Sequence, residues 1–434
     1  CSTQITNKGR ACNHALFVFK EETVDKKQSV LKNFLTYIKI DTQSDETSET
    51  VPSTAKQLNL ANVLMEEIKA LGITDVELDD KGYIYGKLKG NIDAKVPTIA
   101  FIAHMDTALE FPYPGDEARV IENYDGEPIV LCEDVVLDPA NNPPLLDAKG
   151  KTVVVTNGKA LLGGDDKAGV AEIMTALEYM VKTPEFKHGD IAFSFTPDEE
   201  IGTSVDHFDV KKLAADRAYT LDGAAPDEIS YENFNAASAS LIIHGIVTHP
   251  GEAKNKMKNA LHVACEFAEA LPASERPEHT EGYEGFYHLM DMKGNCEEAS
   301  LEYIIRDHDI DKLEQRKTLM SKCAEFLNEK YGAETVEIYF KDSYRNMAEC
   351  MKGHEEHIEY AMEAIREQGF EAKPAPMRGG TDGAGISRMG VPCPNLGTGS
   401  YNHHGNREYA VVEEMVVLVD IMLSIISKYA KGEE

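Results

Sequence analysis

The 434-residue sequence predicts an α/β fold, in which a mostly parallel sheet flanked by helices carries an inserted, smaller α+β domain. Three observations support this prediction. Continuous apolar runs alternate with amphipathic helical segments in the first half of the chain, which is typical of a parallel sheet buried on both faces. Longer strands of alternating character begin near residue 238. The parallel-sheet pattern returns near residue 372, so the second domain interrupts the first.

Helical periodicity predicts two helices in the first part of the chain, over residues 29–40 and 53–71. Three continuous apolar runs then predict buried strands, over residues 98–103, 190–195 and 217–221. The amphipathic segment 167–180 lies between the first two runs and is predicted to be a helix. The order of strand, helix and strand implies parallel pairing through crossover helices.

The middle of the chain has a different pattern. Strands are predicted over residues 240–248, 298–306 and 335–341, helices over 256–271 and 311–330, and a closing helix over 412–429. We therefore expect an extension at 1–26, a main domain formed by 27–237 and 372–434, and an inserted domain at 238–371. The extension is polar and aperiodic, so we interpret it as disposable, with a processed, lipid-modified Cys1 as the alternative.

The composition excludes several classes of function. Lys and Arg number 44 against 75 Asp and Glu, so the formal charge is 44 − 75 = −31, which disfavours nucleic acid and anionic membranes as partners. No apolar run approaches the ~20 residues that span a bilayer. The eight cysteines form no C-x-x-C pair, so we expect a reduced, cytoplasmic protein without disulfides.

Acidic residues and histidines follow the buried runs or stand in glycine-rich turns. They are His104, Asp106, Asp165, Asp166, Glu199, Glu200, Asp222, His403 and His404. Each has an ordinary explanation when it is taken alone, as a surface residue, a turn residue or a helix N-cap. The three consecutive acids at 198–200 repel one another, so either a divalent cation compensates them or they form a solvated loop.

Taken together, these residues predict a metal site. Open α/β sheets bind ligands outside the C-terminal ends of their strands, where these side chains are expected to meet. Histidine nitrogen and carboxylate oxygen are ligands of zinc. Two zinc ions ~3.5–4 Å apart need about five ligand groups, with one carboxylate shared between them, and the sequence supplies that number.

Seven stretches carry a more specific resemblance, which extends from about residue 28 to 430. They read LLGGDDKAGVAEIMTALE, TPDEEIG, ENFNAAS, TEGYEGFYHL, YIIRD, RGGTDGA and CPNLGTGSYNHHG. In these stretches the chain resembles the peptidase T family of tripeptide aminopeptidases, within the dinuclear-zinc aminopeptidases and carboxypeptidases. The resemblance implies a zinc exopeptidase-like main domain, two Zn²⁺ per subunit and an inserted domain through which relatives often form homodimers.

The resemblance also implies a role for each candidate. His104 and Asp222 would ligate one zinc, Glu200 and His404 the other, and Asp165 would bridge both, followed by a cis peptide bond. Asp106 would hold the His104 ring, and Glu199 would be the general base. The residues alone leave the roles of Glu199 and Glu200 interchangeable, and only the order within the family separates them. His403 departs from the family pattern, in which an aromatic residue is common.

Four further residues are implied to bind substrate. His249 in THPG would help to stabilise the oxyanion, and Arg306 in YIIRD would hold the substrate's terminal carboxylate in a bidentate contact. Arg378 and Asn235 would complete the pocket wall. A loop histidine and an ordinary ion pair are the alternatives for His249 and Arg306.

The predicted function is zinc-dependent removal of the N-terminal residue from tripeptides. The ligand types also suit Co²⁺ or Mn²⁺. A dipeptidase or an acyl-amino-acid deacylase of the same family is the closest alternative, since the same metals would serve it. A non-catalytic, metal-binding scaffold is the alternative from another class, and it would require a missing ligand or base.

Overall fold

The computed structural model describes residues 24–113 and 117–431. Its strands are β1 (Val76–Leu78), β2 (Ile84–Leu88), β3 (Ile99–His104), β4 (Arg119–Ile121), β5 (Ile129–Cys132), β6 (Val135–Leu137), β7 (Val153–Val155), β8 (Ile191–Thr196), β9 (Arg217–Gly223), β10 (Glu228–Ser230), β11 (Asn235–His244), β12 (Phe286–Gly294), β13 (Glu298–Asp307), β14 (Val336–Asp342), β15 (Lys373–Pro374), β16 (Asn395–Gly397), β17 (Ser400–Tyr401) and β18 (Tyr409–Val411).

Its α-helices are α1 (Lys26–Tyr37), α2 (Gln57–Ala70), α3 (Pro143–Asp147), α4 (Gly164–Lys182), α5 (Val210–Leu213), α6 (Ala260–Ala270), α7 (Ile310–Tyr331), α8 (Ala348–Met351), α9 (Glu355–Glu367), α10 (Asp382–Arg388) and α11 (Val412–Lys431). The extension predicted at 1–26 lies outside the described residues as far as residue 23, and α1 already begins at Lys26.

An eight-stranded sheet forms the main domain, in the order β1-β2-β8-β3-β9-β16-β10-β15. Four of its seven strand pairings are parallel, and three of these lie side by side at the centre, among β8, β3, β9 and β16. All six residues of β3 and all six of β8 are buried, which explains their continuous apolar sequences. The predicted α/β class is confirmed as a mixed sheet with a parallel centre.

Side chains of β3 alternate between two hydrophobic cores. Phe101 packs into the larger core with residues of α1, α4 and α11, and Ile102 packs on the opposite face. Because the sheet is covered on both faces, the helices leave the C-terminal ends of its parallel strands as the accessible edge. The side chains that follow β3, β8 and β9 meet at this edge.

A four-stranded antiparallel sheet, in the order β12-β13-β11-β14, forms the core of the inserted domain. Its register runs from Asn235 opposite Asp307 to His244 opposite Glu298. Helices α6 and α7 pack on one face, where alternate residues of β11 and β13 are buried. The other face is partly exposed, which accounts for the alternating sequence.

The chain crosses between the main and inserted domains at two adjacent points, before β11 and after β14. The N–H of Ala236 donates to the carbonyl of Tyr344, and the N–H of Ser343 donates to the carbonyl of Ala236, both at 2.9 Å. The outgoing and returning segments therefore run side by side.

A second four-stranded sheet, in the order β17-β18-β7-β4, and the β5–β6 hairpin lie beside the central sheet. Six cysteines in the described ranges are free. Across residues 24–113 and 117–431, no helix has both the length and the apolar character needed to cross a bilayer.

Candidate active site

His104 is the last residue of β3, and its ring is buried, with 2% of the side chain exposed. Its Nε2 lies 2.9 Å from Asp165 Oδ1 and 3.4 Å from Asp222 Oδ1. Its Nδ1 faces Asp106, 3.1 Å from the carbonyl oxygen and 3.4 Å from Oδ1. Asp106 therefore fixes the ring so that Nε2 points at the two carboxylates, which is how an outer residue orients a metal-binding histidine.

Asp165 lies between the two halves of the site, at the start of α4. Its Oδ1 faces His104, whereas its Oδ2 lies 3.5 Å from His404 Nε2 and 3.4 Å from His403 Nδ1. One carboxylate oxygen thus faces each half, as a shared ligand requires. The peptide bond between Asp165 and Asp166 is cis, which the resemblance implied.

Glu199 and Glu200 follow β8 on the other side of the site. Glu200 Oε2 lies 2.9 Å from His404 Nε2, while Glu199 Oε2 lies 3.9 Å from His104 Nε2. The carboxylate of Asp106 accepts the N–H of Glu199 at 3.0 Å and that of Glu200 at 3.2 Å. Asp106 therefore positions both the histidine and the acidic loop.

The side chains fit a pair of divalent ions. The ligand atoms of His104, Asp165 and Glu200 lie within 4.8 Å of one another, and so do those of His104, Asp166 and Asp222. Asp166 already accepts the N–H of His104 and of Gly169, so its oxygens are engaged by the backbone. Glu200 Oε1 is buried and lacks a hydrogen-bond partner within the described ranges, which a bound cation would supply.

The electrostatics of the site also indicate a missing positive charge. Burial, and the Asp165 carboxylate nearby, raise the pKa of Glu200 to about 7 and that of Asp222 to about 6. Burial and Asp222 raise the pKa of Glu199 well above its usual range. Hydrogen bonds that His404 donates to the carboxylates of Asp165 and Glu200 raise its pKa to about 12. Raised pKa values in a cluster of buried acids, and in the histidine that contacts them, are expected of a site built to hold a cation.

A cavity of about 610 Å³ opens onto these residues. Six carboxylates line it, together with residues of the segment that returns from the inserted domain and of the loop before α10. The charged and polar residues of its wall include Asp165, Glu199, Glu200, Asp206, Asp222, Asp382, Ser343, Tyr344, Arg388 and His404. The cavity is large enough for a short peptide.

Arg306 lies next to this cavity but not in its wall. One guanidinium nitrogen, Nη1, donates to the carbonyls of Ala237 at 3.3 Å and Ile305 at 3.1 Å. The guanidinium carbon lies 5.3 Å from the centre of the Tyr344 ring, and Tyr344 lines the cavity. Arg306 is thus in contact with a residue of the cavity wall.

The other three predicted substrate residues are also outside the cavity wall. Arg378 donates to the carbonyls of Gly282 and Glu284, both at 2.9 Å, and stacks over two phenylalanine rings. The Asn235 amide is buried and donates to the carbonyls of residues 307 and 308. His249 lies on an exposed loop, where its Nδ1 accepts the N–H of Gly251 at 3.2 Å.

Three residues of the site region were not among the predicted site residues. Asp198 and Glu408 are buried acids that accept backbone N–H groups, from Ser53 and from Leu162 respectively. Each lies close in sequence to a predicted ligand. The sequence does not show whether a charged residue beside a predicted ligand is buried, so it could not single out these two acids. Arg388 has no sequence signal, because helical position alone brings it to the cavity.

Comparison with known proteins identifies close relatives. A profile of the peptidase dimerisation domain matches residues 231–335. Peptidase T of Clostridium acetobutylicum is 50% identical over 408 residues, covering 93% of this chain and 100% of the relative. Peptidase T of Caldanaerobacter subterraneus subsp. tengcongensis is 49% identical over 404 residues, covering 93% of this chain and 99% of the relative.

Solved structures share the fold. Aminopeptidase PepT from Bacillus cereus aligns with a TM-score of 0.72 at 22% identity, covering 93% of this chain and 99% of its own. A tripeptidase from Staphylococcus aureus aligns with a TM-score of 0.74 at 23% identity, covering 95% and 100%. Half of the residues are identical to a full-length peptidase T over almost the entire chain, and on that ground this protein belongs to the peptidase T family.

Proposed function

We propose that the protein is a two-zinc aminopeptidase that removes the N-terminal residue of tripeptides. The observation that carries this proposal is the convergence of His104, Asp165, Glu200, Asp222 and His404 at one cavity that residues of both domains line. The sequence identity with peptidase T relatives and the shared fold of a tripeptidase support the substrate class.

The five ligands divide into two sets that share Asp165. His104 and Asp222 would hold one ion, and Glu200 and His404 the other. When bound, the ions would lower the pKa of an attacking water towards ~7 and polarise the scissile carbonyl. Zinc suits these nitrogen and oxygen ligands, and Co²⁺ or Mn²⁺ would also be accepted.

Glu199 is the candidate general base. Its carboxylate faces the site without being in direct contact with His404, and burial raises its pKa well above the usual range. In its carboxylate form, Glu199 would take a proton from the attacking water and return it to the leaving amine. The hydrogen bonds from the N–H groups of Glu199 and Glu200 to Asp106 hold the backbone from which the two side chains project.

The inserted domain is the candidate for specificity and for assembly. The match to the peptidase dimerisation domain supports a homodimer formed through this part of the chain. His249, Arg306, Arg378 and Asn235 stay candidates for substrate binding, and Arg306 contacts Tyr344 of the cavity wall. Light scattering of the purified protein across a tenfold concentration range tests the dimer.

A panel of substrates separates this function from its alternatives. The zinc-loaded enzyme is expected to cleave trialanine, and to leave N-acetyl-trialanine and N-acetyl-alanine intact. Preferred cleavage of dialanine would favour a dipeptidase, and hydrolysis of N-acetyl-alanine would favour a deacylase. Pentaalanine cleaved as fast as trialanine would contradict the length limit.

Replacement of the base tests the mechanism. Glu199→Gln keeps the size and shape of the side chain and its ability to form hydrogen bonds, but the amide cannot act as a base. We expect kcat for trialanine to fall by about 10²–10⁴, with KM changed little. Zinc content, measured by atomic emission, should stay at the wild-type level. Full activity of the variant would show that another group is the base and would favour the swapped assignment of Glu199 and Glu200.

A further inference from the structure

The two candidate metal-binding histidines are supported by very different surroundings. His104 ends a buried strand, and Asp106 fixes its ring from the side away from the other ligands. His404 lies on a turn with a positive φ of 59°, and 42% of its side chain is exposed. A histidine on such a turn needs a separate contact to hold its ring, because the imidazole can otherwise rotate away from an ion.

Glu110 makes a contact of this kind. Its Oε1 lies 3.1 Å from Nδ1 of His404. Nε2 of the same ring lies 2.9 Å from Glu200 Oε2 and 3.5 Å from Asp165 Oδ2. The two ring nitrogens point in different directions, so Glu110 lies outside the set of ligands. When Nδ1–H donates to Glu110, Nε2 keeps its lone pair for the second ion, which Glu200 and His404 would hold.

The backbone on both sides of Glu110 is itself anchored. The side-chain amide of Gln43 donates to the carbonyl of Ala108 at 2.9 Å and to that of Phe111 at 2.8 Å. Gln43 also pairs with Thr107 in a parallel β-bridge. Glu110 therefore projects from a braced segment, although 52% of its side chain is exposed.

We propose that Glu110 is a positioning residue, which orients His404 for the second ion as Asp106 orients His104 for the first. This inference rests on the proposed two-zinc function and deepens it at the metal site. Both orienting acids then come from one segment, residues 105–111, which follows β3. Because Asp106 is buried and Glu110 is half-exposed, the second ion is the one that exchanges faster and is held less tightly at high ionic strength.

Zinc release to a chromophoric chelator tests this assignment without any substrate. The wild-type protein loaded with two Zn²⁺ should release them in two phases, and His404→Ala should lose the fast phase, which assigns that phase to the second ion. In Glu110→Ala the fast phase should accelerate by about tenfold or more, with the slow phase unchanged, because loss of an outer contact typically weakens metal binding by about 10–100-fold. Glu110→Gln should lie between, since its amide oxygen can still accept Nδ1–H.

Two controls separate orientation of the ligand from a general charge effect. Glu122→Gln changes the net charge by the same amount as Glu110→Gln at another exposed acid, and it should release zinc as the wild type does. A tenfold increase in ionic strength should accelerate the fast phase more in the wild type than in Glu110→Ala, in which the screened contact is already absent. The melting temperature of metal-free Glu110→Ala should match that of the wild type.

The opposite results are distinct. An unchanged fast phase in Glu110→Ala, or equal acceleration of both phases, would overturn the assignment while the two-ion site stands. Release of both wild-type ions in a single phase would overturn the predicted difference in exchange. A wild-type protein that binds fewer than two zinc ions would overturn the proposed function and this inference together.

Discussion

Asp198 adopts a left-handed backbone conformation, with φ of 59°, in the acidic loop after β8. Such a conformation costs a non-glycine residue about 1 kcal/mol or more, so the surroundings must hold it. The carboxylate of Asp198 accepts the N–H of Ser53 at 2.7 Å, the Ser53 hydroxyl and the Gln57 amide. This anchor sets the direction in which the next two residues, Glu199 and Glu200, leave the backbone.

Three substitutions at Asp198 separate the anchor from the backbone conformation. Asn tolerates the left-handed region and keeps an acceptor, Gly tolerates it without an anchor, and Ala offers neither. Zinc affinity and kcat should therefore fall in the order wild type, Asn, Gly, Ala, and Asp198→Ala should lower the free energy of unfolding by about 2–4 kcal/mol. Calorimetric zinc titration and urea denaturation measure the two effects.

A matched variant strengthens this comparison. Ser53→Ala removes one donor to Asp198 and should reduce zinc affinity less than Asp198→Ala does, with a non-additive double mutant. If all three Asp198 variants bind zinc as tightly as wild type, the acidic loop does not depend on this anchor.

Predictability from sequence varies sharply among the site residues. His104 and Asp222 each follow a predicted buried run, but each has an ordinary explanation alone, and only their shared placement with the other acids and histidines predicted a site. The sequence alone could not decide which of the adjacent His403 and His404 faces Glu200. The turn that carries them has no periodicity, and His404 has a positive φ of 59°. In the structure His404 Nε2 approaches Glu200 at 2.9 Å, whereas His403 faces Asp165 at 3.4 Å.

At the scale of elements, Glu408 joins the turn before β18 to the loop before α4. Its Oε2 accepts the N–H groups of Leu162 at 2.7 Å and Gly163 at 2.9 Å, and its Oε1 accepts the N–H of Asp165 at 3.0 Å. Only 1% of the side chain is exposed. The backbone of Asp165, the proposed shared ligand, is thus held by an acid from a different element.

Glu408→Gln and Glu408→Ala should weaken the metal site by different amounts. Gln keeps one acceptor for Leu162 and Gly163 but presents an NH₂ group to the Asp165 N–H, whereas Ala leaves three buried donors without an acceptor. We expect unfolding free energy to fall by about 1–2 kcal/mol for Gln and about 3 kcal/mol or more for Ala, with zinc affinity falling in the same order. An unchanged zinc affinity in both variants would mean that the loop holds Asp165 without this contact.

Long elements were predictable and short ones were not. The strands β3, β8 and β9 and the helices α4, α7 and α11 carry enough residues to show a period or a continuous apolar run. The sheet β17-β18-β7-β4 has strands of two or three residues, which are too short for any pattern. Its central pairing, between β18 and β7, joins residues more than 200 positions apart, such as Tyr409 and Val155.

At the scale of the whole molecule, metal binding and protonation compete. The pKa values of Glu200 and Asp222, about 7 and about 6, belong to the metal-free protein, and each group must be deprotonated to bind an ion. Protonation of these carboxylates therefore competes with ion binding, and we expect zinc affinity to fall progressively from pH 8 to pH 5.

As pH falls, the stability of the metal-free protein and the extra stability that zinc adds should change in opposite directions. In the metal-free protein these acids bind more protons when folded than when unfolded, so their contribution to stability rises as pH falls through their folded pKa values. The stabilisation by zinc falls over the same range, so the melting temperatures with zinc and with EDTA should converge from pH 8 to pH 5. In Glu200→Gln, the difference between the melting temperatures with zinc and with EDTA should depend less on pH. A wild-type difference that stays constant from pH 8 to pH 5 would contradict the linkage.

The side-by-side crossings at Ala236 and Ser343 have a consequence for how such enzymes diversify. An insert whose two ends already touch adds no strain to its host and leaves no gap when it is exchanged. Recombination can therefore graft a new module at this joint while the chemistry of the host is inherited intact. Substrate range and reaction type are then free to evolve at separate rates.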